Sequence, residues 1–523
     1  MTEQPPIIGT EKGNSATALA LAGLGLLVVL SDPLFENEGG ALSFLIYGAA
    51  ILAVSAFVNK DRLTSPISIA VLYFLALAPM AVDLSGLSFI VSFTLVAITS
   101  FRIWGRKFDT TLQWVRGLAL FALTLPLRFV PDIARWYGEL KAAERSSVRL
   151  SGLAIWLMPA VAGAVFLLLF AEANPVLDRL LSLIEIWKLI EWIRFDRLFF
   201  WMFTAAVTWP FLNPRQILQK AVRKLPAVET QPETASRGGV HGVIFGDGAI
   251  LRSLALFNML FAVQTGLDIF YLWGGATLPE GMSYAAYAHR GAYPLIVTAL
   301  LAALFVLVAL RPGSTAAENS LIRYLVYAWI LQNVGLVLSS ILRLELYTNV
   351  YALTYMRVAA FIWMGVVACG LILITVRIAA GHGGAWLVNR NLALAGLVLY
   401  ASCFINFGAI IARYNVDHSL EMGGEGTGLD MYYLYTLGPA AIPAFDRFLA
   451  EASDISDMQR KDGEDSRDRL VNRHQAQMEN WRNWSLRNWL IEIDGRHLGE
   501  SRQLEHGGRY DKRSERLPTP ADN

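Results

Sequence analysis

Charge is scarce in this chain. The 523 residues include 44 Lys and Arg and 43 Asp and Glu, so charged residues make up 17% of the sequence, against roughly 25% in soluble globular proteins. Hydrophobic residues make up 55%, and the mean hydropathy is +0.43. This composition excludes a single soluble enzyme and a disordered chain. The net charge of +1 gives no electrostatic reason to expect a nucleic acid as partner.

Cysteine, histidine and catalytic signatures are also scarce. The two cysteines, Cys369 and Cys403, lie inside apolar runs and form neither a disulfide framework nor a metal-ligand set. The seven histidines show no H-x-x-x-H spacing, so we predict no metal site and no cofactor. The glycine-rich stretches 238–248 and 423–428 lack the lysine of a phosphate-binding loop. The sequence therefore assigns no catalytic residue and leaves enzymatic activity open.

Long apolar runs are what the sequence has instead. A helix of about 20 apolar residues spans the roughly 30 Å hydrocarbon core of a bilayer. We therefore predict an all-α fold, a polytopic transmembrane helical bundle of about eleven spans, with a range of ten to twelve. The predicted spans lie near residues 16–31, 41–58, 66–82, 86–102, 152–171, 196–212, 250–273, 291–310, 321–341, 356–376 and 391–411.

The segment near residues 110–130 is predicted not to cross the bilayer. Its apolar core, 117–125, is too short and is followed by prolines and basic residues. A re-entrant or surface-lying segment fits this pattern better than a crossing. Lys and Arg concentrate in alternate loops, which the positive-inside rule assigns to the cytoplasm. With eleven spans, this places the amino terminus inside and the carboxyl terminus outside.

Three parts are predicted along the chain. Residues 1–151 hold amino-terminal membrane helices, 152–445 a membrane core, and 446–523 a charged, water-facing tail that is helical or disordered. The tail contains three tryptophans in NWRNWSLRNW, which suit docking on the membrane or on the bundle. The lipid bilayer is therefore an expected partner, and another membrane protein is a candidate partner of the tail.

Polar residues close to the carboxyl-terminal spans form a candidate ligand site. Gln264 and Asp268 are four residues apart and share a helix face. Several arginines lie at outer helix ends, where the positive-inside bias should deplete them. Because sequential helices tend to be neighbours, we expect these groups to converge in a charged outer vestibule. The candidate ligand-binding residues are Gln264, Asp268, His289, Arg290, Arg343, Glu345, Arg357, Arg413 and Asp417.

Two interpretations of this set stay open. The planar fork of arginine suits carboxylates and phosphates, which favours an anionic or zwitterionic small solute or a lipid headgroup as ligand. Arginines at helix ends also extend to the interface, and Arg–Asp pairs often only fix one helix against the next. The sequence alone does not decide between binding and helix pinning.

Several segments of the carboxyl-terminal half look familiar: residues 251–310, QN (332–333), RLELYTNVYALTYMR (343–357), ARYNV (412–416) and YLYTLGPAAIP (433–443). Together they resemble the bacterial membrane-protein family catalogued as domain of unknown function 4173, with its relative 4153. The resemblance implies a polytopic protein of a bacterial cytoplasmic (inner) membrane. The resemblance covers roughly residues 150–445 and implies that Gln264, Asp268, His289 and Arg290 belong to the family's pattern. It brings no established activity, so no catalytic role is carried over.

Three functions are compatible with these patterns. The working hypothesis is transporter-like handling of an anionic or zwitterionic small solute in the vestibule. The first alternative is a non-catalytic signalling or assembly partner that acts through the tail. The second alternative is a membrane-embedded transferase on lipid-linked substrates, with Asp268, His289 and Glu345 as acid, base or metal ligands.

Overall fold

The structure is a computed structural model of the whole chain. It describes residues 10–36, 39–60, 63, 65–105, 108–125, 128–129, 131–134, 195–212, 247–274, 297, 301, 305, 319–453, 455–493 and 496–497. Within these ranges the regular structure is helical, as predicted, apart from one short antiparallel pair in which Glu492 lies opposite His497 and Ile493 opposite Arg496.

Several helices begin at polar capping residues. Ser85 accepts a hydrogen bond from the N–H of Ser88 at 3.1 Å, and Ser456 forms a capping box with Gln459. We number the helices α1 (Thr10–Phe35), α2 (Ala41–Val58), α3 (Pro66–Val82), α4 (Gly86–Ile103), α5 (Thr111–Thr124), α6 (Phe195–Leu212), α7 (Asp247–Asp268), α8 (Ser320–Tyr351), α9 (Tyr355–Ala379), α10 (Gly384–Ser402), α11 (Phe407–Asp417), α12 (Met431–Thr436), α13 (Ile442–Glu451), α14 (Asp457–Glu479) and α15 (Leu486–Trp489).

Six described helices are long and apolar enough to cross a membrane: α1, α2, α4, α7 with the turn that continues it, α8 and α9. The bent pair α10–α11 is a seventh candidate. These helices confirm the all-α membrane bundle. The predicted spans at 66–82 and 196–212 form α3 and α6, which do not meet the same criteria. The predicted span 152–171 and nearly all of 291–310 lie outside the described residues, so the count of eleven stays a prediction.

The predicted span over 391–411 is wrong as a continuous helix. α10 ends at Ser402, α11 begins at Phe407, and the two are bent by 69°. The side chain of Asn406 accepts from the N–H of Ala409 at 3.1 Å and so caps α11. The 19 residues of α10 measure about 28 Å at 1.5 Å per residue, nearly a whole hydrocarbon core. α11 therefore turns away from the end of a helix that is almost long enough to cross alone.

Three hydrophobic cores hold the described helices together. The first joins α1–α6 around Phe101 and Trp209, and the second joins α7–α10 around Leu254 and Ile322. The third joins α11–α14, with Phe445 fully buried at its centre. We call residues 407–479 the cap. The third core uses residues before and after position 446, where the sequence analysis places the start of the tail. The three-part division of the chain itself stays a prediction.

A short segment after α14 ties the cap to α1. We call residues 480–491 the strap, and the end of the bundle that it contacts the strap end. Arg482 of the strap donates from Nε to the carbonyl oxygen of Pro33 at 3.0 Å. A Cβ on Gly40 would lie 2.1 Å from the carbonyl oxygen of Arg482, so this close approach of two backbones requires glycine.

Arg487 makes the second attachment of the strap. Its guanidinium forms an ion pair with Asp83, directly after α3. It also donates from Nη2 to the carbonyl oxygens of Cys403 at 3.2 Å and Ile405 at 3.0 Å. These carbonyls lie in the break between α10 and α11, where no following helical turn supplies an N–H group to donate to them. One side chain therefore joins the amino-terminal bundle, the broken helix and the strap.

His474 on α14 is predicted to make the stability of the cap depend on pH. The side chain is fully buried, and burial lowers the pKa of its imidazole below the ordinary 6.5. Above that value the neutral ring contributes its full stability. The contribution is lost as the pH falls towards the lowered folded-state pKa, because the unfolded chain then binds more protons.

We therefore expect the thermal unfolding midpoint of the cap to fall as the pH is lowered from about 7.5 to about 5.5. His474→Met should remove most of that decline, as followed by tryptophan fluorescence. An unchanged pH slope in His474→Met would show that another group titrates.

Candidate functional site

The polar side chains of α7 and α8 meet in one buried ion pair. Asp268, the last residue of α7, pairs with the guanidinium of Arg343 on α8. Gln264, one turn earlier on α7, donates from Nε2 to Asp268 Oδ1 at 3.0 Å. Asp268 is 0% exposed and Arg343 is 4% exposed. Three of the predicted site residues therefore do come together, between two helices apolar enough to cross a membrane.

A π-helical turn, Ile269–Trp273, follows Asp268 directly. Such turns are rare and occur frequently at functional sites. At its end, the indole Nε1 of Trp273 donates to Ser339 Oγ on α8 at 3.2 Å. The turn and this hydrogen bond fix the end of α7 against α8, which holds Asp268 in register with Arg343.

Polar contacts continue from the ion pair along the interface of α7 and α8. The amide of Asn258 donates to the carbonyl oxygen of Leu325 at 3.0 Å, and Gln332 donates to the carbonyl oxygen of Asn258 at 3.2 Å. Asn258 contacts Leu325 and Gln332, whereas Asp268, further along α7, contacts Arg343, further along α8, so the two helices run parallel. We call this interface the polar seam, and its members are Asn258, Gln264, Asp268, Gln332 and Arg343.

Arg357 binds the chain's own backbone rather than joining the polar seam. Its guanidinium donates to the carbonyl oxygens of Tyr351 and Ala352, in the corner between α8 and α9. The guanidinium carbon lies 4.6 Å from the centroid of the Tyr347 ring, a cation–π contact. The contacts of this arginine therefore stabilise the corner.

Arg413 and Asp417 lie on the cap, away from α7. The Nε of Arg413 lies 3.7 Å from Asp417 Oδ2, one helical turn along α11, and the Arg413 side chain is 79% exposed. Arg447 on α13 binds the other oxygen of Asp417. Exposed pairs of this kind contribute about 0–1 kcal/mol. This group fixes α13 against α11 at the surface.

The remaining predicted site residues are dispersed. α8 runs to Tyr351 instead of ending near residue 341, so Arg343 and Glu345 lie within the helix and not beyond its outer end. Glu345 is exposed on α8. His289 and Arg290 lie outside the described residues. The structure thus places the described candidates in separate groups, and ligand binding by any of them stays a prediction.

Asn415 is a structural residue that the sequence analysis did not single out. Its side chain accepts from the N–H of Leu353 at 2.6 Å and donates to the Leu353 carbonyl oxygen at 3.0 Å. It thereby fastens the cap to the corner between α8 and α9. The sequence did contain a sign of this residue, because Asn415 lies in the ARYNV segment, two positions after the candidate residue Arg413. Arg487 was missed in the same way, although the tryptophans around it were noted.

The described helices and the polar seam define the class of protein, an all-α membrane protein with a buried ion pair between spanning helices. A family model described as domain of unknown function (DUF4153) matches residues 66–448, and the chain belongs to this family. The matching family is 4153, the relative of the family 4173 that the sequence resembles, and membership of 4173 stays a prediction. No curated protein and no solved structure matches the chain. Among the described residues, no three His, Cys, Asp or Glu side chains form a group that could hold a metal ion.

The strained position in the corner between α8 and α9 is Ala352, with φ 64° and ψ 170°. This region is essentially restricted to glycine and costs other residues about 1–3 kcal/mol. Ala352→Gly removes that strain, while the added freedom of the unfolded glycine offsets about 0.5–1 kcal/mol. We expect a net stabilisation of about 1 kcal/mol, measured as a higher thermal unfolding midpoint in detergent.

Ala380→Gly is the matched control, because Ala380 caps α9 in an ordinary right-handed conformation. This variant should gain nothing from added backbone freedom. If both glycine variants lower the midpoint equally, Ala352 is not strained.

Proposed function

We propose that the protein handles a small zwitterionic or anionic solute in the bacterial cytoplasmic membrane, in the manner of a transporter, and that the solute binds at the polar seam. The observation that carries this proposal is the ion pair of Asp268 and Arg343, buried between two helices able to span a membrane. Ionisable residues inside spans are rare and costly, and they mark solute and ion pathways.

The chemistry of the pair favours a zwitterion. Arg343 offers its planar fork to a carboxylate, and Asp268 accepts hydrogen bonds from an ammonium group. A zwitterion that enters between them replaces one internal ion pair by two and leaves no charge unpaired. An anion alone would pair with Arg343 and leave the Asp268 carboxylate without that partner, which is unfavourable when the site is buried.

A buried ion pair is a costly way to hold two helices together. Replacing such a pair by well-packed apolar residues is often neutral or stabilising, because the desolvation cost of two charges rivals their attraction. Two apolar helices in lipid associate through close packing and weak polar contacts. The presence of a buried charged pair at Asp268 and Arg343 therefore supports a role beyond holding α7 against α8.

The contacts of the strap support the proposed orientation, with the amino terminus in the cytoplasm and the cap outside. The strap binds Pro33, in the last turn of α1, and Asp83, directly after α3; the stretches 32–40 and 83–85 around them are acidic and carry no basic residue. Arg197, at the start of α6, pairs with Glu36 at the same end. Loops without Lys or Arg are expected on the extracytoplasmic side.

Ligand-dependent stability of the purified full-length protein tests the proposed binding. We expect zwitterionic amino acids such as alanine and glutamine to raise the unfolding midpoint, whereas choline has no effect. A ligand at 100 times its Kd adds about 2.7 kcal/mol. Asp268→Asn combined with Arg343→Gln should abolish this shift, and Arg413→Ala on the cap surface should retain it. A shift that survives the double variant would contradict binding at the polar seam.

A second candidate function, assembly with another membrane protein, rests on the strap. Trp481, Trp489 and Leu490 are exposed there, and the guanidinium of Arg482 lies over the Trp481 ring. Exposed aromatic side chains next to arginine are typical of interaction surfaces. Trp489→Ser combined with Leu490→Ser should abolish co-purification of a partner without lowering the unfolding midpoint. Loss of solute binding in this variant would instead connect the strap to the polar seam.

A further inference from the structure

A small cavity at the strap end is separate from the polar seam. Its volume is about 280 Å³, and it lies where the end of α8, the start of α9 and the loop 418–430 meet. The volume is close to the lower limit of about 300 Å³ for small-molecule pockets. The groups that bear on its chemistry are Asn349, Tyr351, His418, Thr427, Asp430 and Tyr433.

One wall of this cavity is the strained corner. Ala352 lines the cavity, and its backbone conformation is held by Arg357 from one side. Asn415 fixes the next residue, Leu353, through both its N–H and its carbonyl oxygen. Strained backbone persists only where the surroundings over-determine it, and it clusters at binding sites. This wall is therefore rigid before any ligand arrives.

The opposite wall is the glycine-rich loop 423–428. Gly426 donates from N–H to the carbonyl oxygen of His418 at 3.1 Å, and a Cβ on Gly426 would lie 2.4 Å from that oxygen. The buried carboxylate of Glu421 accepts from the Leu429 N–H at 3.0 and 3.2 Å and from Gln459 Nε2 at 3.2 Å. The glycines therefore permit close folding over the end of α11, and Glu421 fixes the shape of the loop.

The cavity presents hydrogen-bond donors and acceptors side by side. Asn349 Oδ1 accepts from the Tyr414 hydroxyl at 2.6 Å, which leaves the amide N–H groups of Asn349 to donate. The Tyr433 hydroxyl accepts from the Tyr355 N–H at 3.1 Å and keeps its own proton to donate. Asp430 and Thr427 add oxygen acceptors. This mixture suits hydroxyl groups, which donate and accept at once.

The charges near the cavity disfavour an ionic ligand. No Lys or Arg is among the lining residues that the structure describes, and the lining carboxylate of Asp430 would repel an anion. The guanidinium of Arg357 lies directly behind the wall, on the carbonyl oxygens of Tyr351 and Ala352. This guanidinium would repel a cation, so the carboxylate of Asp430 and the guanidinium of Arg357 together favour neither kind of ion. A neutral ligand avoids both costs.

We infer that this cavity binds a neutral sugar of monosaccharide size, through the mixed donors and acceptors of Asn349, Thr427, Asp430 and Tyr433. The small volume excludes an extended ligand, and the rigid walls reduce the ordering cost of binding a weakly interacting neutral molecule. The Tyr351 and Tyr433 rings supply apolar surface for the C–H faces of a sugar ring. This site is independent of the solute proposed for the polar seam.

The test uses the full-length protein in lipid nanodiscs, with D-glucose, D-galactose and D-mannose as probes and choline and inorganic phosphate as comparisons. Saturation-transfer NMR should show binding of at least one hexose and of neither ion. Asp430 caps α12 by accepting from the N–H of Tyr433 at 2.8 Å. Asp430→Asn keeps this capping ability but loses the charge, and it should weaken hexose binding at least tenfold. Asp457→Asn, an exposed acid in the first turn of α14, is the matched control and should bind as the unmodified protein does.

Thr427→Val provides a second variant that caps no helix. Weaker hexose binding in either variant, at an unchanged unfolding midpoint, supports the assignment. The assignment is overturned if no hexose binds, if choline or phosphate binds in place of the hexoses, or if both variants bind hexose as tightly as the unmodified protein.

Discussion

Arg343→Ala is expected to destabilise the protein by about 3–5 kcal/mol, the largest effect of any single substitution considered. The substitution leaves the Asp268 carboxylate buried without its guanidinium, between helices that offer little water. The cost comes from this uncompensated charge more than from the lost attraction. Equilibrium unfolding in mixed detergent micelles measures the change.

A double-mutant cycle separates the pair from its surroundings. Asp268→Asn combined with Arg343→Gln removes both charges, so it should cost less than the sum of the single variants by about 0.5–3 kcal/mol. Arg413→Ala removes an exposed arginine and should cost no more than about 1 kcal/mol. If Arg343→Ala is as mild as Arg413→Ala, the ion pair is not buried in the protein.

Arg487→Ala is expected to release the strap. The side chain binds Asp83 and the carbonyl oxygens of Cys403 and Ile405, and no other strap residue reaches all three. Hydrogen bonds that involve a charged group contribute about 1.5–3 kcal/mol each, but the guanidinium is partly exposed, so we expect a loss of about 2 kcal/mol. That loss corresponds to roughly thirtyfold faster amide hydrogen exchange in residues 480–491.

The exchange experiment has an internal control. Arg487→Lys keeps the charge but has no planar fork to bind a carboxylate and two carbonyls together, so its exchange should be intermediate. Protection in α7 and α8, which do not contact Arg487, should be unchanged. Unchanged protection of the strap in Arg487→Ala would show that Arg482 and apolar packing suffice to hold it.

Hydropathy alone predicted the class of fold, because spanning helices are defined by the composition of a local window. It did not predict the break after Ser402. The run through Cys403 contains no proline, and apolar residues continue on both sides of the break. The local signal was Asn406, an N-cap within an apolar stretch. The carbonyls of the break are satisfied by Arg487, more than eighty residues away in the sequence, which no local pattern indicates.

The candidate site was predictable only where helical spacing determines the contact. Gln264 and Asp268 share a face because they are four residues apart, and the structure confirms that contact. The positions of Arg357 and Arg413 along their helices gave no information on rotation about the helix axis. Arg357 instead found the free carbonyls of a strained corner, and Arg413 found Asp417 one turn away. A convergence of arginines cannot be inferred from span ends alone.

Solute uptake into proteoliposomes tests the central claim most directly. With the unmodified protein, we predict accumulation of a labelled zwitterionic amino acid above that of protein-free vesicles. The combination of Asp268→Asn with Arg343→Gln should reduce uptake to the background, while Arg413→Ala should leave it unchanged. Uptake by the double variant at the rate of the unmodified protein would contradict the assignment of the polar seam as the solute site.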